Sequence, residues 1–316
     1  MNICQYTKDN KQDWDAFVSE SKNGTFLFMR DYMDYHAGRF TDHSLMFRND
    51  KGRLVAVMPA NERDGILYSH QGLTYGGLVL SANAHTTDIG EIFSLIIGYL
   101  KNNGFTEWYY KQIPSIYCQY PSDEDEYWLW RNNARLACCN ISCTVRLDGN
   151  ISVPLERRRK RGIRRALETG LRIKERADIE EFWPIMEENL RTKYNAAPVH
   201  TMEEMKLLHS RFPENIQIYT CADSEGNAHA GAIVYVANRQ TIHIQYAHAD
   251  TQGKASGALD MLYGFLIDKY KAEGFSYFDI GTSNERDGWF LNERLTEQKE
   301  GFGGRGIAYK HWKISL

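Results

Sequence analysis

Residues 252–258 read Gln-Gly-Lys-Ala-Ser-Gly-Ala and lie between a strand-like apolar pattern and an amphipathic helix pattern. A small-residue loop feeding a helix makes an anion site, because free backbone N–H groups and the helix dipole point the same way. The chemistry it predicts is binding of the phosphates of a cofactor or activated donor. A second constellation lies upstream. Arg157, Arg158, Arg159, Lys160, Arg161, Arg164 and Arg165 place seven positive charges within nine residues. Arginine at this density suits bidentate phosphate contacts. Ile163, Leu167 and Leu171 recur at i, i+4 and i+8, which predicts a helix with that face on the core. Pro154 suits the first turn of such a helix. Arg157, Arg161, Arg164 and Arg165 then share another face. Acids and bases are nearly balanced over residues 151–316, so this patch is a local field. The plain alternative is a solvated helix paired with the acids of residues 123–126.

The elements that must position these groups follow from periodicity. Residues 241–248 read as a strand, 259–271 as an amphipathic helix and 275–279 as a second strand. The helix end and second strand have a counterpart upstream. At a constant offset, Ile97 matches Ile267, Lys101 matches Lys271, Gly104 matches Gly274 and Phe105 matches Phe275. Each glycine stands where a helix stops. Further upstream, residues 45–59 and 218–236 each hold two apolar runs around an Asp/Asn-rich turn ending in Gly, the signature of a β-hairpin. A further strand follows each hairpin, over 65–70 and 241–248, and a helical segment precedes it, over 14–21 and 179–194. Both halves therefore read helix, hairpin, strand, helix, strand. The fold class is α/β (α+β), with two similar domains over 1–148 and 149–316, joined near residues 147–154.

At 316 residues the chain accommodates two ordinary domains. A net charge of −3 specifies no partner, and an aromatic content of 13% argues against disorder. The N-terminal residues lack the apolar stretch of a signal peptide, and residues 93–100 are too short a run to cross a bilayer. A cytoplasmic location is the expectation. Cys138, Cys139 and Cys143 lack paired CxxC spacing, so buried reduced thiols are expected rather than a metal site. Nucleophile-elbow, Walker, HExxH and dinucleotide-binding patterns are absent from the sequence.

The 252–258 segment resembles the acyl-CoA motif of the GNAT acyltransferase superfamily, Arg/Gln-x-x-Gly-x-Gly/Ala. Gln252 stands at its first position, Ala255 at its first glycine and Gly257 at its second. The Ala255 replacement still permits close backbone approach. Tandem GNAT-like halves, the arginine-rich helix after the first half, residues 278–281 (Phe-Asp-Ile-Gly) and residues 291–303 are together similar to FemABX-type proteins over nearly the whole chain. Residues 69–77 (Ser-His-Gln-Gly-Leu-Thr-Tyr-Gly-Gly) resemble the substrate-lining turn of that family. The first half has no matching copy of the phosphate motif. The resemblance implies two tandem GNAT-like domains, each a mixed, mostly antiparallel sheet flanked by helices. It implies donor binding in the second and acceptor binding or an architectural role in the first. Members of this family use acyl-CoA or aminoacyl-tRNA. Those that use tRNA often carry a coiled-coil arm, and no sustained heptad segment occurs here.

The implied activity is N-acyl transfer from acetyl-CoA or another acyl-CoA to an amine of a sugar nucleotide, glycan precursor or peptide, in cell-envelope or polysaccharide synthesis. Gln252, Gly253, Lys254, Ala255, Ser256, Gly257 and Ala258 are the expected donor contacts. Such transfer needs an oriented amine, a proton acceptor and oxyanion stabilisation. His243, His248, Asp250 and Asp279 are candidate bases, and Tyr246 a candidate acid toward the leaving group. His70, Tyr75, Arg161, Arg165, Lys299 and Arg305 are candidate substrate contacts. Each has a structural alternative, such as Asp279 capping the turn at Gly281 or Lys299 pairing with Glu297 and Glu300. An aminoacyl-tRNA-dependent peptidyl transferase and a catalytically silent binding scaffold are the alternative functions.

Overall fold

The computed structural model describes residues 1–149 and 153–316. Part of the expected junction, residues 150–152, lies outside the described residues. Contacts divide the chain into two compact units: Met1–Ile141 with Asn284–Phe290 and Ile307–Leu316, and Ser142–Ser283 with Leu291–Gly306.

In the first unit, strand β1 (Asn2–Gln5) precedes helix α1 (Lys11–Glu20), whose Trp14 and Val18 are buried one turn apart. The hairpin of β2 (Leu45–Arg48) and β3 (Leu54–Met58) is antiparallel. Its turn forms because the Asn49 side chain accepts from the N–H groups of Lys51 and Arg53. Strand β4 (Ile66–Tyr68) leads to β5 (Val79–Leu80) and helix α2 (Thr86–Asn102). That helix buries Ile89, Ile92, Phe93, Ile96 and Leu100, an i, i+3, i+4 stripe. Gly104, at φ 77°, ends the helix. Strand β6 (Glu107–Lys111) runs parallel to β4 and antiparallel to residues 311–315 of the C-terminal strand Arg305–Ser315. Helix α3 (Glu124–Arg131) and strand β7 (Arg135–Arg146) follow.

The second unit repeats the central helix, hairpin, strand, helix, strand order with other elements added. Helix α4 (Arg157–Glu168) and strand β8 (Arg172–Glu175) come first, then α5 (Ile179–Tyr194) and α6 (Met202–Arg211). The hairpin of β9 (Ile216–Ala222) and β10 (Ala228–Val236) turns where Asp223 Oδ1 accepts from the N–H groups of Glu225 and Asn227. Strand β11 (Thr241–Ala249) pairs antiparallel with β10. The register slips by one at Gln245, a bulge that re-aims the residues beyond it. Helices α7 (Thr251–Ser256) and α8 (Ala258–Ala272) then lead to β12 (Tyr277–Thr282). That strand pairs parallel with β11 over residues 241–243 and antiparallel with residues 142–146 of β7. Leu262, Leu266, Tyr270 and Phe278 anchor the core beneath.

Three local expectations are corrected. Residues 252–258 are mostly helical rather than a loop, because Asp250 caps α7 by accepting from Gly253 N–H at 2.6 Å. Helix α4 starts at Arg157 with Glu156 as its N-cap, and Pro154 lies before it. Its buried face is Arg159, Gly162 and Ala166, while Leu167 is 59% exposed. Small residues on that face let α4 approach α8 closely: a Cβ on Gly162 would lie 2.7 Å from Asp260 Cγ, and one on Gly257 would lie 2.3 Å from Gly162 O.

Candidate functional site

A groove of about 870 Å³ opens in the second unit where α4, α7–α8 and α9 (Glu293–Glu300) meet. Gly253 and Gly257 form its floor, and Arg158, Arg159, Arg165, Lys254 and Arg294 supply its positive charge. Gly257 occupies the left-handed region at φ 86° and is the N-cap of α8, making no side-chain cap hydrogen bond. The first N–H groups of α8 therefore receive no hydrogen bond from an N-cap side chain. Opposite charges lie in the same walls: Glu156, Asp260, Glu297 and Glu300.

The arginine-rich helix reaches the glycine segment directly. Arg165 donates to Ala255 O at 2.8 Å. Arg159, only 7% exposed, forms an ion pair with Asp260 on α8 and lies over the Phe302 ring. Its Nε has no hydrogen-bond partner among the described residues. Burial raises the Asp260 pKa, and Arg159 opposes that shift. Arg159 was not singled out from the sequence, because one arginine in a run of seven reads as surface. The usable signal was Gly162 and Ala166, which mark a closely packed helix face three and seven residues beyond it.

Of the expected donor contacts, Gly253, Lys254 and Gly257 line this groove. Ala255 meets it through its carbonyl on Arg165, Ser256 donates to Gly253 O at 3.3 Å, Gln252 is exposed and Ala258 is buried. Arg165 belongs to the groove, whereas Arg161 is exposed outside it.

The candidate acid–base residues prove to have partners or displaced pKa values. Asp279 is fully buried and accepts from Ser142 Oγ, from Thr144 Oγ1 at 3.0 Å and from Gly281 N at 3.3 Å, and it pairs with His243 Nδ1 at 2.8 Å. Asp250 caps α7 and pairs with His229 at 2.9 Å. Tyr246 OH lies 2.8 Å from His200 Nδ1, and burial raises its pKa. His248 is pushed down to about 4, first by burial and then by Lys254 and Lys193, so its imidazole is neutral at physiological pH.

Lys299 is buried, with its ammonium donating to Gly281 O and Thr282 O, both at 2.8 Å. Burial pulls its pKa to about 8. Arg305 is exposed and donates to Gly304 O. His70 and Tyr75 sit in the first unit, both buried. His70 has a positive φ of 64°, and burial drives its pKa well down. Among the described residues no cluster of three or more His, Cys, Asp or Glu could hold a metal ion, and no helix is long and apolar enough to cross a membrane.

Residues 155–289 match the family model described as an acetyltransferase (GNAT) domain. The solved structure of FemX aligns over 100% of this chain and 98% of its own, at 11% identity and a TM-score of 0.71. The chain has a FemABX-like GNAT fold. The structure of L-PGS from Bacillus licheniformis aligns over 98% of this chain and 92% of its own, at 14% identity and a TM-score of 0.64. A tandem GNAT protein from the clavulanic acid biosynthesis pathway covers 99% of this chain and 98% of its own, at 10% identity and a TM-score of 0.55. Comparison with curated proteins finds no match. The GNAT domain match supports an acyltransferase and covers every residue lining the groove except Arg294, Glu297, Gln298 and Glu300.

Proposed function

We propose that the groove of the FemABX-like second unit binds the phosphates of an acyl donor, acyl-CoA in the first instance. The chain would transfer the acyl group to an amine of a sugar nucleotide, glycan precursor or peptide. The observation that carries this reading is the uncapped start of α8 at Gly257, facing a groove with five cationic side chains. Unfilled N–H groups, a helix dipole and guanidinium groups together favour a phosphate more than any one does alone. The volume suits a nucleotide-sized ligand.

In the transfer step the neutral amine attacks the donor carbonyl carbon. The N–C bond forms, the C–S bond breaks, and the proton lost from nitrogen ends on the departing thiolate. Asp279 and Asp250 are already engaged as acceptors, which leaves neutral His248 as the residue best suited to relay that proton through water. Lys299 and Arg305 are kept as acceptor-side groups, and His70 and Tyr75 as architectural members of the first unit.

A specific observation favours the second reading, aminoacyl-tRNA as donor. Arg157, Arg161 and Arg164 are exposed on α4 outside the groove, where a nucleotide-sized donor leaves them unused and a longer polyanion would not. Calorimetry with acetyl-CoA tests the first reading. If acetyl-CoA gives no heat while aminoacyl-tRNA binds with a steep salt dependence, the second replaces it. Donor binding with no transfer to any amine would leave a binding scaffold.

A further inference from the structure

His229 lies outside the groove, yet the groove's floor is built on it. Its ring stands between two carboxylates, with Nδ1 2.9 Å from Asp250 Oδ2 and Nε2 3.1 Å from Asp223 Oδ2. The backbone completes the joint. Asp250 N donates to His229 O at 3.0 Å, and Gly253 packs so closely on that carbonyl that a Cβ would lie 2.1 Å from it. Asp250 Oδ1 accepts from Gly253 N, and Gly253 O accepts from Gly257 N at 3.0 Å. A continuous chain of hydrogen bonds thus runs from His229 through Asp250 and Gly253 to Gly257, and the last two line the groove.

We propose that His229 is a positioning residue for the donor site, a proton-dependent clamp that holds Asp250 in its capping pose and so fixes Gly253 and Gly257. This rests on the reading of the groove as a donor site. The chemistry is simple. Both ring nitrogens face carboxylate oxygens, and only the imidazolium can donate from both. A neutral ring turns one lone pair toward a carboxylate. Asp223 is fixed by two backbone N–H groups of its own turn, those of Glu225 and Asn227, so it cannot easily move away. The adjustment therefore falls on Asp250 and the start of α7.

Asp223 on the β9–β10 turn and Asp250 at the start of α7 are the charged groups that act on the ring. Glu225 on that turn is hydrogen-bonded to Asn227, and Lys254 on α7, whose pKa burial and Lys193 lower, interacts with Asp250 on the other side of the joint. Burial works against the charge on His229, but its hydrogen bonds to Asp250 and Asp223 outweigh it and raise the pKa. The clamp is therefore complete at mildly acidic pH and is lost as pH rises through that raised value.

The test uses the full chain. Amide exchange at Gly253 and Lys254, corrected for the intrinsic pH dependence of exchange, is followed without ligand from mildly acidic to mildly alkaline pH. Protection should fall several-fold as pH rises, and acetyl-CoA affinity should fall with it. His229→Gln, whose amide is of comparable reach, donates from a single nitrogen and carries no charge, should remove both pH dependences. Arg165→Ala should weaken acetyl-CoA while leaving the pH dependence of exchange intact. Protection that does not change with pH in the natural protein, or that keeps its pH dependence in His229→Gln, overturns the clamp. Absence of acetyl-CoA binding alone counts against the donor reading, and the exchange measurement still decides the clamp.

Discussion

The two units share a helix–hairpin–strand–helix–strand order but differ at the start of the helix that follows the hairpin and its next strand. In the second unit, residues 250–257 make one short helical turn and then open α8 at Gly257, an N-cap that makes no side-chain hydrogen bond. In the first unit the corresponding connection runs over residues 69–85 and carries β5. Helix α2 there is closed by its own acid, since Asp88 Oδ2 accepts from His85 N at 2.8 Å. The acid in the first turn of α8, Asp260, is instead drawn to Arg159. One helix start carries an acid bonded back to its N-cap, and the other has a glycine N-cap with no side-chain hydrogen bond.

The contrast can be broken by substitution, and the largest effect should come from Arg159. Arg159→Met leaves Asp260 partly buried beside α4 without its partner, and unfolding by urea should show a loss of about 3–5 kcal/mol. The double variant Arg159→Met with Asp260→Asn should recover most of it. Next comes Gly257→Ala, which adds a Cβ 2.3 Å from Gly162 O at positive φ. It should cost about 2–3 kcal/mol and weaken donor binding. Gly104→Ala, at a helix end where nothing lies within 4 Å, should cost only about 1 kcal/mol.

The buried acids of the two units sharpen the comparison through pH. Asp279 in the second has His243, Ser142 and Thr144 around it, whereas Asp125 in the first has the neutral Tyr110 hydroxyl at 2.7 Å and the Gln112 amide at 3.3 Å. Burial lifts Asp125 to about 6, against the pull of Tyr110. The folded state then holds this proton where the unfolded chain has lost it. Stability should fall as pH rises from about 4 to about 6, by roughly 1–2 kcal/mol, and Asp125→Asn should remove that part of the slope. An effect as small as that of Gly104→Ala is expected from Asp88→Ala. It should cost about 1 kcal/mol in thermal unfolding and leave donor affinity unchanged.

The repeat was legible because apolar periodicity and the terminal glycines Gly104 and Gly274 are local signals. The helical state of residues 251–256 was not, because the stretch is rich in Gly, Ala and Ser and its decisive residue, the cap Asp250, read as a candidate base. The Asp223–His229–Asp250 clamp joins a turn, a strand and a helix cap, so no periodicity reveals it. The return of residues 307–316 to the first unit was hidden for the same reason, since strand pairing between distant segments leaves little local trace.

Titration calorimetry with acetyl-CoA, on the natural chain and on Arg165→Glu, counts the donor sites and places them. One donor site in the second unit predicts a stoichiometry of one per chain and an affinity reduced about tenfold or more by the charge reversal. Two equivalents bound per chain, or an affinity indifferent to Arg165→Glu, would contradict it.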